Sequence, residues 1–189
     1  MKVPFKPGTL IYPLPALMVS CGDCAENYNI ITVAWTGTIC SDPPMCYISV
    51  RKERHSHKLI MDSGEFVLNL TTEALAKATD WCGVRSGKDY KKFKEMHLTP
   101  EQGQIVKAPL IAESPLNIEC KVVEVKELGS HDMFIANVVA VNADEKLIDK
   151  STGAFQLNHA HPLAYSHGKY YGLGEKIGSF GFSVAKRKK

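Results

Sequence analysis

The stretch that decides the fold is LNIECKVVEVKELGSHDMFIANVVAVN, Leu116 to Asn142. Two long runs of alternating side chains flank Gly129-Ser130. Alternation is the period of a strand, and a Gly-Ser pair between two such runs marks a hairpin turn. The pattern predicts strands over Leu116–Leu128 and His131–Asn142, paired antiparallel.

Working outward, more strands appear. Leu10–Ser20 is apolar and punctuated by prolines, which suits an edge strand or an extended leading segment. Ile30–Trp35 is β-branched and aromatic. Asp42-Pro43-Pro44 marks a turn. In Met45–Arg51, Cys46, Ile48 and Val50 share one face, and Tyr47, Ser49 and Arg51 the other. Glu65–Thr71 is a further strand. Helices are short: His57–Asp62 with Ser56 as N-cap and Gly64 as its end, Thr72–Cys82 with Thr71 or Thr72 as cap, and one within Lys88–Glu95. From Ala154 onward the chain reads as loops with one or two short strands. Strands dominate and helices are peripheral, so the expected architecture is a β-barrel with α additions, built as one domain over residues 1–189.

The chain has 189 residues, 44% hydrophobic and 23% charged, an ordinary globular balance. A formal net charge of +3 is too small to argue nucleic-acid binding. The terminal Lys186-Arg187-Lys188-Lys189 reads as a solvated tail. No apolar run approaches membrane-spanning length, and prolines interrupt the N-terminus where a signal core would lie. A cytoplasmic setting is expected, in which the six cysteines are reduced thiols.

Several motifs invite chemistry and fail on spacing. Cys21-Gly-Asp-Cys24 leads into a strand, whereas a redox C-x-x-C wants a helix. Cys40 and Cys46 are too far apart for a zinc knuckle, so no metal is expected. Gly83–Asp89 is one residue short of a phosphate loop but remains a flexible basic loop. Gly172–Gly178 resembles a dinucleotide fingerprint with its last glycine misplaced. His55-Ser-His57 and His159-Ala-His161 lack a third ligand.

The segment around Asn27–Ile60 is more suggestive. Arg51 offers a planar fork for an anion. Ser56, at the start of a helix, would aim its hydroxyl and the following N–H groups at the same anion. Thr36, Thr38 and Ser41 are small hydroxyls on a glycine-containing loop, and Trp35 is a broad apolar face. These residues suit a ligand that is aromatic at one end and phosphorylated at the other. They equally suit a core tryptophan beside a solvated basic helix.

The run NIITVAWTGTICSDPPMCYISVRKERHSHKLI resembles the flavin reductase-like family of FMN-binding split barrels, especially its flavoredoxin branch. The likeness continues through GEFVLNLT, CGVRSGKDYKKF, APLIAESPLNIEC, LGSHDMFIANVVAV and HPLAYSHGKYYGLG. The resemblance implies a six-stranded antiparallel split barrel that forms a homodimer with FMN near the interface. Asn29, Thr32, Val33, Ala34 and Trp35 would line the flavin ring. Thr36, Gly37, Thr38, Cys40 and Ser41 would contact the ring and ribityl chain. Arg51, Ser56 and His57 would surround the phosphate, helped by Ser86, Lys88 and either Lys91 or Lys92. His131 and Tyr165 would approach the ring. The implied activity is electron transfer from NAD(P)H or a reduced partner through FMN to a protein or small-molecule acceptor, with no nucleic acid or membrane involved. A carrier without NAD(P)H activity is the alternative, and a flavin-free binding module the outsider.

Overall fold

A computed structural model describes residues 1–184. The Lys186–Lys189 run therefore lies outside the described residues. In chain order the elements are β1 (Leu14–Pro15), β2 (Leu17–Cys21), β3 (Asn29–Val33), β4 (Thr36–Ser41), β5 (Pro44–Arg51), α1 (His55–Ser63) and β6 (Glu65–Asn69). There follow α2 (Ala76–Val84), α3 (Lys92–Glu95), β7 (Pro100–Glu101), β8 (Leu110–Ile111), β9 (Leu116–Glu127), β10 (His131–Ala143), β11 (Leu163–Ser166) and β12 (Lys169–Gly172).

The main sheet is antiparallel, with seven strands in the order β3-β2-β6-β9-β10-β5-β4. Its two edge strands, β3 and β4, are consecutive in sequence and joined only by Ala34 and Trp35. Laid flat at about 4.8 Å per strand, the edges would stand about 29 Å apart. The chain from Val33 to Thr36 reaches about 11 Å at full extension. The sheet must curl until its edges approach, which makes the split barrel expected from the sequence.

The β9–β10 hairpin forms where expected and is the spine of the curl. Its halves carry different neighbours. Asn117–Lys121 of β9 pairs with β6, while His131–Asn137 of β10 pairs with β5. Register shifts at Ile135/Ala136 and Val138/Ala140 flank the Asn137–Lys121 pair, where these halves meet. Such bulges bend a strand and increase its twist.

Alternation then sorts the side chains. Cys46, Ile48 and Val50 share one face as expected, and that face is the inner one, joining Val19, Ile31, Val33, Phe66, Phe134 and Ala136 in the barrel core. On the outer face Met18 and Ile30 pack under α2 and α3 with Ala78, Cys82 and Phe93. A small sheet, β1-β11-β12, stands apart from the barrel.

Several elements differ from the sequence expectation. β2 is interior, between β3 and β6, rather than an edge. The prolines that suggested an edge precede it, at Pro13 and Pro15. Thr36–Ser41, expected as a loop, is the seventh strand, paired with β5. Helix α1 begins at His55 with Arg54 as N-cap, so Ser56 lies inside it. Gly64 does end α1, in the left-handed conformation (φ 67°) that glycine adopts without strain. The expected Thr72–Cys82 helix is a 3₁₀ turn followed by α2, and Lys88–Glu95 is helical only over α3. Among the described residues no helix is long and apolar enough to cross a membrane.

Glu119 is a fully buried carboxylate on the outer face of β9. It accepts the backbone N–H groups of Gln104 (2.8 Å), Ile105 (2.7 Å) and Val106 (2.9 Å) and the Asn142 amide (2.8 Å). Burial alone would raise its pKa, but these donors hold it below the ordinary value of 4.5. Removing it leaves three N–H groups without their acceptor, that of the buried Val106 among them. Glu119→Ala is expected to cost about 3 kcal/mol or more, read from urea denaturation at neutral pH. Because the folded-state pKa is depressed, this stabilisation is complete above the ordinary value and fades as the pH falls below it. The difference between wild type and Glu119→Gln should shrink in acid.

Candidate functional site

The Ala34-Trp35 corner forms one wall of a cleft of about 600 Å³. Ile31, Thr32, Val33, Ala34 and Trp35 line it from the barrel, with Arg51 and His131. Residues Arg51 and His131 are direct partners across β5 and β10. The rings of Trp35 and His131 lie 4.5 Å apart at 42°. Burial and the neighbouring Arg51 charge hold the His131 pKa below its ordinary value. The opposite wall comes from the small sheet and its approach: Thr9, Tyr12, Tyr165, Gly168 and Tyr170. The Tyr170 hydroxyl donates to Asp80 of α2 at 3.3 Å. Burial, with the Asp80 charge, pushes that phenol up to about 12. The cleft is thus aromatic on both walls.

A smaller cavity of about 160 Å³ is lined by Asn29, Ile31, Glu53, Arg54, His55, Ser56, Arg85, Ser86, Gly87 and Lys92. Ile31 and Arg54 line both spaces, so the two adjoin. The first turn of α1 borders the smaller cavity, and no side chain caps its N–H groups. Those groups and the helix dipole favour an anion. The cavity floor is tightly built. Asn29 donates to the Ser56 hydroxyl at 2.8 Å. Gly87 lies so close to the Asn29 amide that a Cβ there would collide with it. Gly83 likewise lets α2 close on β3, where an added Cβ would meet Thr32 at 3.1 Å.

Lys92 is the dominant charge. Its residue is 3% exposed, and its ammonium donates to the Cys82 carbonyl at 2.7 Å. An ammonium has three donors, and a buried cation with one neutral partner is costly. Burial, reinforced by Arg54, pushes its pKa down to about 8, while the Cys82 and Cys21 thiols pull it up.

The structure gathers much of the expected set and separates the rest. Thr32, Val33, Ala34, Trp35, Arg51, His131 and Tyr165 line the large cleft. Asn29, Ser56, Ser86 and Lys92 line the small cavity. Arg51, expected at the phosphate, stands instead at the large cleft, 3.5 Å from Glu53. Residues Thr36, Gly37, Thr38, Cys40 and Ser41 line neither space, because pairing with β5 carries them along the sheet edge. The Thr36 hydroxyl is spent on the Tyr47 carbonyl at 2.7 Å. His57 turns away from the small cavity and meets Asp132 at 2.8 Å. Between the two lysines the geometry separates clearly. Lys91 reaches out to the Glu26 carbonyl, whereas Lys92 is inside. Lys88 is exposed and lines neither space.

Sequence reasoning passed over Arg54, Arg85, Tyr12, Asp80 and Tyr170. Arg54 belongs to the basic run that follows β5, and Arg85 to the basic loop Gly83–Asp89. Tyr12, Asp80 and Tyr170 carried no signal, since only tertiary packing brings the small sheet and α2 to the barrel.

Comparison with known proteins gives consistent likenesses. The family model described as "Flavin reductase like domain" matches residues 9–174. The structure of flavoredoxin from Desulfovibrio vulgaris (Miyazaki F) is 32% identical, with a TM-score of 0.89, covering 98% of this chain and 100% of that one. Flavoredoxin from Methanosarcina acetivorans is 25% identical, with a TM-score of 0.87 and the same coverage, 98% and 100%. An uncharacterized protein of Archaeoglobus fulgidus is 29% identical over 161 residues, 85% of this chain and 88% of its own.

The depressed Lys92 pKa has a sign that can be tested. The folded state holds this proton only below about 8, against an ordinary value of 10.5. Between these values the unfolded chain binds more protons, so folding stability attributable to Lys92 rises with pH across that window. Lys92→Met should flatten that rise in a urea-midpoint series. It should also be the more stable variant at neutral pH, where wild type must keep the buried charge.

Proposed function

The chain belongs to the flavin reductase-like domain family, and from that premise we propose that it binds FMN and passes electrons through it. The observation that carries this reading is the junction of two unlike cavities. One has aromatic walls, and the other holds a buried lysine and an uncapped helix start. A planar ring joined by a short polar chain to a phosphate has that shape and that charge. The donor set fits as well. The phosphate would satisfy the Lys92 ammonium and the N–H groups of the first turn of α1.

Residues Thr32 to Trp35, His131 and Tyr165 would hold the ring, with Arg51 at its side. Asn29, Ser56, Ser86 and Lys92 would hold the phosphate end. When bound, FMN supplies acceptance of two electrons from a donor and their release to an acceptor. The protein excludes water with its aromatic walls and sets the ring's electrostatics with His131, Arg51 and Arg54. Positive charge beside the ring favours its reduced, more negative form.

We propose NAD(P)H as the donor, which makes the protein a reductase, with a carrier reduced by another protein as the second reading. We also propose a homodimer. Phe5, Ile11, Ile177 and Phe180 are exposed apolar residues near the two ends of the described chain, and β4 is an unpaired sheet edge. Such surface favours a partner copy. Of the ring and ribityl contacts implied by the resemblance, Thr36 to Ser41 would then act at or near the subunit boundary.

The purified protein is expected to be yellow, or to take up FMN when supplied. Anaerobic addition of NADH or NADPH should bleach the flavin absorbance rapidly. Bleaching by dithionite alone would leave the carrier, and a protein that takes up no FMN would exclude both. Light scattering at low micromolar concentration should give twice the 20.9 kDa chain mass.

A further inference from the structure

The wall of the large cleft that faces the barrel draws its rings from one small sheet. Tyr165 and Tyr170 are direct partners across β11 and β12. Leu14 pairs with Tyr165, which brings Tyr12, two residues earlier, beside them. The Tyr12 and Tyr165 rings lie 6.2 Å apart at 54°, and those of Tyr165 and Tyr170 5.6 Å apart at 60°. All three line the cleft, and each is half-buried. Rings tilted in this way around one space form a cage, and the negative face of an aromatic ring attracts a cation.

The charges agree. Asp80 of α2 is the only carboxylate that lines the cleft among the described residues. It accepts the Tyr170 hydroxyl at 3.3 Å and takes part in no ion pair among those residues. It adds to the cage a negative charge that no protein cation neutralises. A phenol that gives its one proton to Asp80 keeps only lone pairs for a ligand. The positive side chains of the cleft stand on the barrel side and are engaged elsewhere. Arg51 sits 3.5 Å from the Glu53 carboxylate, and Arg54 donates to the Gly83 carbonyl.

We propose that this wall is a subsite for a flat aromatic cation of the N-alkylated pyridinium class, held by Tyr12, Tyr165 and Tyr170 and selected by Asp80. Two aromatic walls suit a flat ring. The ring faces and the carboxylate suit its charge. An uncharged ring of the same shape gains the contact but not the charge attraction. Small free pyridinium compounds share this chemistry with the ring of an oxidised pyridine dinucleotide. Asp80 and the tyrosines belong to the wall that the barrel does not supply, so the subsite does not rest on the flavin reading above.

The cation 1-methylnicotinamide and its neutral counterpart nicotinamide separate charge from shape. Each is titrated into the purified protein and followed by ligand-observed NMR. Wild type should bind the cation at least about tenfold more tightly. Asp80→Asn should bring the two within about threefold, and Tyr170→Leu should weaken the cation by about three- to tenfold. NAD⁺ titrated alongside identifies the source. Binding more than about tenfold tighter than 1-methylnicotinamide points to a dinucleotide, and no gain points to a small free cation; the subsite stands in either case. Equal binding of the two nicotinamides by wild type overturns the proposal. So does binding of neither, or a cation preference that survives intact in Asp80→Asn. If Asp80→Asn does not fold, judged by urea denaturation, Tyr170→Leu decides, and an unchanged preference there overturns the proposal.

Discussion

Two residues, Ala34 and Trp35, join opposite edges of a seven-stranded sheet. The rest of the structure depends on that short connection. Strands so far apart in the sheet order can be consecutive in sequence only if the sheet rolls up. Rolling encloses the inward faces of the strands, so the hydrophobic core and the curvature have one cause. The connection itself cannot be packed over by further strands. It remains at the rim, with Trp35 37% exposed, and the larger cleft opens beside it. The site is where the barrel fails to close.

The bulged hairpin supplies the bend that the short connection demands. It also sets neighbouring side chains to opposite duties. In β10, His131 faces the cleft beside Trp35. The next residue, Asp132, turns inward to meet His57 of α1 at 2.8 Å and Lys52 at 3.3 Å. Helix α1, which borders the small cavity, and strand β10, which borders the large cleft, are therefore fastened to each other through that pair. Polar groups buried elsewhere work similarly. Asn69 donates to Met18 and Ser20 and accepts from Ile111 and Asn117, stitching β2, β6, β8 and β9 with its donors and acceptors satisfied.

The small cavity is held in a less comfortable state. A buried ammonium, an arginine and an uncapped helix start surround one space. Each is tolerable near water and expensive without an anion. Glycines at 83 and 87 let α2 and the following turn press that space closed against β3. Such an arrangement would trade folding stability for affinity toward the anionic group proposed above.

The sequence by itself determined the strands and their faces. Period-two patterns place Cys46, Ile48 and Val50 inside, and Leu116 to Asn142 declares its own hairpin, because strand sidedness is a local property of the chain. It also displayed the chemistry of Trp35, Ser56, Lys92 and His131, and the family-like order of its segments. Tertiary structure alone decided three things. It turned Thr36–Ser41 from loop to strand, since pairing with β5 outweighs the local preference of glycine and threonine. It put Arg51 at the large cleft, because Arg51 ends β5 opposite His131, and Arg54 at the junction of the two cavities, because it is the N-cap of α1. And it buried Lys92, the first residue of α3, while leaving Lys91, its N-cap, exposed.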